Sequence, residues 1–512
     1  MTTAKLCIII AIVVYLIIMI AVGFFYSRRG SGSTSHEFYL GGRKLGPLVA
    51  AMSAEASDMS SWLLMGLPGL AYIAGVAEVS WTIIGLAIGT YLNWLITAKR
   101  LRNYSAHTGA ITIPDFFSRR FRDEKKVLSC IAAIVILVFF IPYTASGFKA
   151  IGTLFNSLFG VNYHGAMIIG AVVVIGYTVL GGFLAVSTTD LIQSIVMTFA
   201  LVFIVFFAIQ QAGGMDNVMA NASALPGYLD VTKGYDASTG EAGSYPFLSI
   251  VSTMAWGLGY FGMPHILLRF MAIENSNKLK VSRRIATVWV VISMVVAMAI
   301  GVIGYSVSKA GIIPFLTSSS ESETIIIRLA DLLSTNGVFF ALIAGVVMAG
   351  ILACTMSTAD SQLLTAASGV SQDLVQDFFR VKLSQKASML AARLTVVAIA
   401  IVGILLAWNP DSSVFRIVSF AWAGFGAAFG PVMILALFWK RMNRPGALAG
   451  MISGGAMVFI WKYLIAPMGG AFAIYELLPA FIIALIAIVV VSLATAPPDQ
   501  EIVEEFEAVG KM

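Results

Sequence analysis

Four carboxylates lie where apolar sequence surrounds them: Glu55, Asp58, Asp190 and Asp360. Each costs a few kcal/mol at the centre of a bilayer unless it is paired or hydrated, and no Lys or Arg is expected at a matching depth. A small cation is the partner that would neutralise them. The stretch Cys354-Thr-Met-Ser-Thr-Ala-Asp-Ser-Gln362 points the same way. On a helix, Ser357 and Ser361 are four apart and Ser357 and Asp360 three apart, so all three share a face, with Thr358 beside them. Hydroxyls, a carboxylate and freed backbone carbonyls are hard oxygen ligands, suited to Na⁺ and poor for soft metals. The competing role for such hydroxyls is hydrogen bonding to their own helix or to a neighbour. That accounts well for a single serine and poorly for a cluster beside unpaired carboxylates.

The elements that position these groups must be membrane spans. Of the 512 residues, 59% are hydrophobic and only 11% charged, against roughly 25% charged in a soluble protein. This excludes a soluble enzyme, a nucleic-acid binder and a disordered chain. A window of about 19 residues gives thirteen apolar runs, near 5–26, 48–73, 79–98, 127–155, 164–182, 189–212, 247–270, 285–308, 336–366, 389–408, 413–439, 446–464 and 475–496. An odd number places the termini on opposite sides. With the N-terminus outside, 25 of the 32 Lys and Arg residues fall in inner segments, Arg29 and Arg269 among them. Only Lys5, Lys149, Lys233, Lys309, Arg328, Arg416 and Lys462 are left over. The positive-inside rule therefore puts the N-terminus outside and the C-terminus inside.

Between the spans, 213–246 is a long outer loop, and Glu323 to Leu333 reads as an amphipathic helix lying on the outer surface. The acidic tail 497–512 reads as a solvated cytoplasmic end. Cys7, Cys130 and Cys354 have no metal-ligand spacing and read as small buried hydrophobes. His265 reads as a buried histidine rather than a proton relay. No Gly-rich phosphate loop ending in Lys-Ser or Lys-Thr is present, so transport would be driven by something other than ATP.

Two spans break the rules of a lipid-crossing helix. Met52-Ser-Ala-Glu-Ala-Ser-Asp-Met-Ser-Ser-Trp62 sets polar groups amid apolar sequence, and Trp256-Gly-Leu-Gly-Tyr-Phe-Gly-Met-Pro264 holds three glycines and a proline in nine residues. Gly and Pro free helix backbone, which survives at membrane depth only where it lines a cavity. Close helix packing is the competing explanation for such glycines. Paired broken helices in corresponding positions of two inverted halves are the mark of leucine-transporter-type carriers. The two breaks are five spans apart, so the halves run in opposite directions. The expected fold is an all-α 5+5 inverted repeat. Its halves span about 48–270 and 247–439, with an extra first helix at 5–26 and two more at 446–496.

Several motifs carry a family resemblance. They are Tyr39-Leu-Gly-Gly-Arg43, Ala56-Ser-Asp-Met-Ser60 with Trp62-Leu-Leu-Met-Gly-Leu-Pro68, and Gly181-Gly-Phe-Leu-Ala-Val-Ser187 with Asp190. Trp256-Gly-Leu-Gly-Tyr-Phe-Gly262, Pro264-His265, Met356-Ser-Thr358 and Ala421-Trp-Ala-Gly-Phe-Gly-Ala-Ala-Phe-Gly-Pro431 follow in order. Together they resemble the solute:sodium symporter family and, within it, the proline-carrying branch. The resemblance implies a main Na⁺ site built from the carbonyls of Ala56, Met59 and Cys354 and the hydroxyls of Ser357 and Thr358. It implies that Asp58 supports Na⁺ affinity, that Asp190 stands near the inner exit of the ion, and that Ser60 serves both ligands. It places Trp62, Tyr143, Trp256, Tyr260 and Pro264 around a proline pocket, with Gln362 nearby. Asp360, Asp190, Ser357 and Ser361 are candidates for a second Na⁺ site. The roles of Glu55 and Lys149 are left open.

The residues themselves agree with such a pocket, since four aromatics offer flat apolar faces with polar tips to a compact ring. Freed amides and carbonyls at the breaks would hold a carboxylate and an amine. The expected function is Na⁺-coupled uptake of L-proline across a bacterial cytoplasmic (inner) membrane, with no enzymatic activity. The same fold carrying another amino acid, a sugar or a vitamin is the alternative. A channel is disfavoured by the lack of a repeated filter loop, and a membrane enzyme by the lack of a catalytic constellation.

Overall fold

The computed structural model describes residues 2–28 and 35–512, so Arg29 lies outside the described residues. Each apolar run forms helix. Among the described residues, ten helices are long and apolar enough to cross a membrane. The other runs are short or interrupted: Tyr163–Gly176, Phe247–Gly262, and the stretch from Pro47 to Ala74. The Val338–Ser368 helix lies at the centre, buried from Gly345 to Ser368 with one lapse at Val346. It packs against Thr3–Arg28, Pro47–Ser61, Val127–Phe159 and Tyr163–Gln211.

Both expected breaks are present, and each has a local cause. Pro47–Ser61 opens on a proline in its first turn, where the missing N–H costs nothing. It then reaches Ser60 at φ 47°, ψ −171°, a backbone region that non-glycine residues rarely enter. The Ser60 hydroxyl supports this geometry by accepting the Trp62 N–H at 3.1 Å. A π-type turn, Trp62–Gly66, then leads into Leu67–Ala74. The second interruption tightens first: Phe247–Met254 passes into a 3₁₀ run, Ala255–Gly262, before Met263 goes extended at φ −78°, ψ 108°. Pro264 forces that extension on its predecessor and starts the next helix, Pro264–Ala272.

The glycines of this segment also act as contact points. A Cβ on Gly257 would land on the carbonyl oxygen of Gly85, and one on Gly262 on the carbonyl oxygen of Phe425. Close packing and chain breaking are therefore both present, where the sequence reading favoured the second over the first.

Two peripheral segments differ from expectation. Ile325–Ser334 does not lie on the surface: Ile325, Ile326, Ile327, Leu329, Ala330 and Leu333 are buried. Its apolar residues cover more than one face, so it sinks between helices. The acidic tail is not a solvated end either. Gln500–Gly510 is a helix that buries Ile502, Phe506 and Val509, a stripe at helical spacing. The guanidinium groups of Arg100 and Arg120 lie over the Phe506 ring at 4.6 and 4.9 Å. Arg122 pairs with Glu501 and Glu505, and Lys440 with Glu507.

Candidate ion and substrate site

The break at Ser60 brings the end of the Pro47–Ser61 helix against the middle of Val338–Ser368. Ser357 Oγ donates to the Ala56 carbonyl at 2.8 Å and to the Cys354 carbonyl at 3.2 Å. Thr358 Oγ1 donates to the same Cys354 carbonyl at 3.2 Å. Four of the five expected Na⁺ ligands thus form one buried cluster of two carbonyls and two hydroxyls. Ser357 thus makes both hydrogen bonds of the competing role, back to its own helix and across to the neighbour. The Met59 carbonyl sits at the break itself and accepts the Trp62 N–H. A set of neutral hard oxygens of this kind fits Na⁺.

The carboxylates divide into three environments. Asp58 Oδ2 accepts from the Tyr260 hydroxyl at 2.6 Å, and the Asp58 carbonyl accepts from the Tyr143 hydroxyl at 3.1 Å. Glu55 Oε1 accepts from Trp94 Nε1 at 2.9 Å and Thr90 Oγ1 at 3.1 Å, while Oε2 is buried without a partner among the described residues. Asp190 Oδ2 accepts from Ser53 Oγ at 2.6 Å and from Arg269 Nη2 at 3.1 Å. Arg269 also donates to Ser361 Oγ at 2.6 Å, and Ser361 donates to Asp360 Oδ1 at 3.3 Å.

The expectation that no basic residue reaches this depth is therefore wrong. Arg269, assigned to an inner segment, has a side chain only 1% exposed. Because the helix restarts at Pro264 inside the protein, Arg269 lies in its buried second turn. Lys149 is also buried. It meets Glu323 at 3.2 Å with both side chains buried. The other Glu323 contacts are the Ser413 hydroxyl at 2.7 Å and the N–H groups of Val414 and Phe415 at 3.1 Å. Glu323 thus caps the Val414–Phe438 helix, a favourable place for an anion.

On the other side of the break is a narrow cleft lined by Asp58, Met59, Trp62, Leu86, Tyr143, Trp256, Val418 and Trp422. Trp256 is the hub of an aromatic stack, with ring centroids 5.7 Å from Trp62, 6.1 Å from Trp422 and 5.2 Å from Tyr475. Tyr260 meets Trp422 edge-on at 5.2 Å. A smaller polar cleft adjoins it, where Ser60, Ser61, Tyr143, Thr144, Thr358 and Gln362 come together. Gln362 Oε1 accepts from Thr144 at 3.1 Å. Among the described residues, Gln362 Nε2, Ser61 Oγ and Trp62 Nε1 are buried without a partner. Unmatched buried donors are costly unless a ligand completes them.

The expected substrate residues thus fall into two groups. Trp62, Tyr143, Trp256 and, through Asp58, Tyr260 belong to the aromatic cleft, and Ser60, Tyr143 and Gln362 to the polar one. Pro264 lines neither and instead fixes where the second broken helix restarts. Trp422, Val418, Leu86 and Tyr475 were missed. Trp422 lies within the Ala421–Pro431 motif, whose small residues signal close approach, whereas Tyr475 offers no signal in its local sequence.

The sodium:solute symporter family model matches residues 38–454. The high-affinity proline transporter of Bacillus subtilis (strain 168) is 42% identical, over 95% of this chain and 98% of that protein. A sodium/proline symporter of Staphylococcus aureus (strain USA300) is 40% identical, over 96% of this chain and 93% of that protein. Among solved structures, a Na⁺-coupled sialic acid symporter in a substrate-bound outward-open state superposes with a TM-score of 0.78 at 19% identity, covering 96% of this chain and 99% of that one. A nucleobase-cation-symport-1 family transporter in a closed conformation gives 0.56 at 14% identity, covering 92% and 98%. These likenesses bear out the leucine-transporter-type fold. The match along the chain and the identity to full-length relatives establish that this protein belongs to the sodium:solute symporter family.

Proposed function

We propose that the protein couples inward movement of Na⁺ to uptake of L-proline across the bacterial cytoplasmic membrane. The observation that carries this is the adjacency of a hard-oxygen cluster (Ala56, Cys354, Ser357, Thr358) to an aromatic cleft across one helix break. Relatives named as proline carriers at 40% identity or more support the choice of solute. In this reading Na⁺ is bound by the cluster, with Asp58 supplying charge nearby, and the proline ring lies among Trp62, Trp256 and Trp422. Gln362 Nε2 and the backbone freed at Ser60 hold the carboxylate and the amine. The cleft has room for about one water as it stands, so a solute enters only after the aromatics separate.

Thirteen spans with the N-terminus outside, in halves of about 48–270 and 247–439, complete the reading. The distribution of Lys and Arg supports this orientation. Two latches then lie on opposite sides of the site. The outer one is Lys149–Glu323 with Ser413. The inner one joins Tyr39 to Ser371 at 2.6 Å and clamps Arg43 on the carbonyls of Met271, Ser105 and Ala110 at 2.6 to 2.9 Å. Alternating access requires them to open in turn. The test is radiolabelled uptake in liposomes under an imposed Na⁺ gradient, with other amino acids, sugars and vitamins as competitors. Proline uptake that vanishes without Na⁺ is expected. Na⁺-driven uptake of a different solute, indifferent to proline, would replace proline and leave the symport reading standing.

A further inference from the structure

The Gln500–Gly510 helix lies behind the inner latch. That latch closes on the Ala98–Thr108 helix and the turn after it, where Arg43 bonds the Ser105 hydroxyl and the carbonyls of Ser105 and Ala110. Arg102, on the same side of this helix, donates to the Ile273 carbonyl at 2.6 Å. Arg100 and Tyr104 stand about half a turn away, on the far side. There the Arg100 guanidinium lies 5.2 Å from the centroid of Phe438, at the inner end of Val414–Phe438, and 4.6 Å from that of Phe506 in the tail helix. Arg120 sits among the rings of Tyr104, Phe121 and Phe506 at 5.5, 4.9 and 4.9 Å and donates to the Ala436 carbonyl at 2.9 Å. The root of the tail is tied nearby, since Arg441 donates to the Thr495 carbonyl at 2.9 Å and Asn443 to that of Ala496 at 2.7 Å. The tail helix thus joins the platform of the inner latch to the inner end of the helix whose outer end Glu323 caps.

We propose that Gln500–Gly510 is a strap that holds the inner latch closed while docked and lets it open when it lifts. This rests on the two-latch cycle and the orientation proposed above. The docked state is balanced between opposing costs. Among the described residues, Arg120 Nη1 and Nη2 and Arg100 Nε are buried without a hydrogen-bond partner. Dry donors of this kind are costly, and the rings packed on the guanidinium groups offset only part of the loss. Lifting the helix returns water to them but exposes Ile502, Phe506 and Val509. The ion pairs Arg122–Glu501 and Lys440–Glu507 are half exposed, so they guide the helix back without fixing it. A segment balanced in this way can dock and lift as the platform beneath it moves. A tail that only covers apolar surface would leave the latch indifferent to its docking.

The experiment reads access to the space behind the inner latch. Ser368 is buried on the central helix, one turn from Ser371 on the side of the ion cluster. In a chain with Cys7, Cys130 and Cys354 replaced by Ala, Ser368→Cys is exposed to a membrane-impermeant maleimide in inverted vesicles without Na⁺ or proline, and the labelling rate is measured. Phe506→Lys sets a like charge against Arg100 and Arg120. It should speed labelling at least about fivefold, as expected for the loss of one cation–π contact. Phe506→Tyr keeps the ring and should label at the rate of the parent chain. Glu507→Lys, which reverses one exposed pair, should speed labelling about twofold, and adding Lys440→Glu should restore the rate. A folded Phe506→Lys protein that labels no faster than its parent overturns the proposal. If that variant fails to fold, the exposed pair decides: an unchanged rate in Glu507→Lys, or no restoration by Lys440→Glu, overturns it as well. Met512→Cys labelled only from the outer face of right-side-out vesicles would instead sink the orientation on which the strap rests.

Discussion

Asp58 and the Ser357–Thr358 pair contribute to ion binding in different ways, and substitution should separate them. Asp58→Asn removes a buried charge held by the Tyr260 hydroxyl at 2.6 Å. A charge-assisted contact of this type is worth about 1.5–3 kcal/mol, so the Na⁺ concentration for half-maximal uptake should rise at least about tenfold, with the protein still inserted and folded. Ser357→Ala deletes one neutral oxygen and, at about 1 kcal/mol, should raise it about fivefold. Unchanged Na⁺ dependence in Asp58→Asn would remove that carboxylate from the ion site. The aromatic wall gives the converse pattern: Trp256→Ala should weaken proline binding more than Na⁺ binding measured without proline, and equal losses would signal a collapsed fold. The Ser357 and Thr358 hydroxyls were legible in the sequence as part of a polar stretch on one helix, whereas the Ala56 and Cys354 carbonyls they meet were named only by the family resemblance. Arg269 and Lys149 were not legible, because hydropathy ranks residues by type. The depth of Arg269 is set by Pro264 restarting a helix inside the protein, and that of Lys149 by a partner, Glu323, 174 residues away.

The helix breaks were readable as composition, yet their geometry was not. Polar residues around Ser60 announced an interruption, but that a serine and not a glycine occupies the φ 47° position emerges only from the fold. In the second break the glycines matter as much for their neighbours as for their own backbone. Gly257 faces Gly85 and Gly89 so closely that any side chain there strikes backbone. Gly257→Ala should therefore force the Ala77–Leu92 helix away from the 3₁₀ segment and cost about 1–3 kcal/mol, the usual range for overpacking. Thermal denaturation in detergent should show a lowered midpoint, whereas Gly176→Ala, on a helix with no atom of the described residues near its added Cβ, should lower it less. The reverse order would mean that the 3₁₀ segment is loosely packed. The C-terminal helix escaped notice for a related reason. Glu501, Glu504, Glu505 and Glu507 dominate its composition, and the three-residue stripe of Ile502, Phe506 and Val509 acquires meaning only opposite Arg100 and Arg120.

At the scale of the whole molecule, both latches are closed and the cleft is nearly filled by its own aromatics, so the ligands must act by changing which latch opens. In the proposed cycle Na⁺ joins the Ala56 carbonyl of one helix to the Ser357 and Thr358 hydroxyls of another, and the break at Ser60 lies four residues beyond Ala56. The ion therefore sets the position of the backbone that receives proline. If Na⁺ favours the form that admits proline, proline must bind better with the ion present. Linkage then requires proline to tighten Na⁺ binding by the same factor, typically about 5- to 150-fold for couplings of 1–3 kcal/mol. Equilibrium titrations in detergent, where no gradient acts, check this directly: proline with and without Na⁺, then Na⁺ with and without proline. Equal factors are expected from the two titrations. Asp58→Asn should reduce both together, since it acts on the ion that carries the coupling. Proline affinity indifferent to Na⁺, or unchanged when K⁺ replaces it, would leave the adjacency of cluster and cleft without a coupling role and would point to a uniporter.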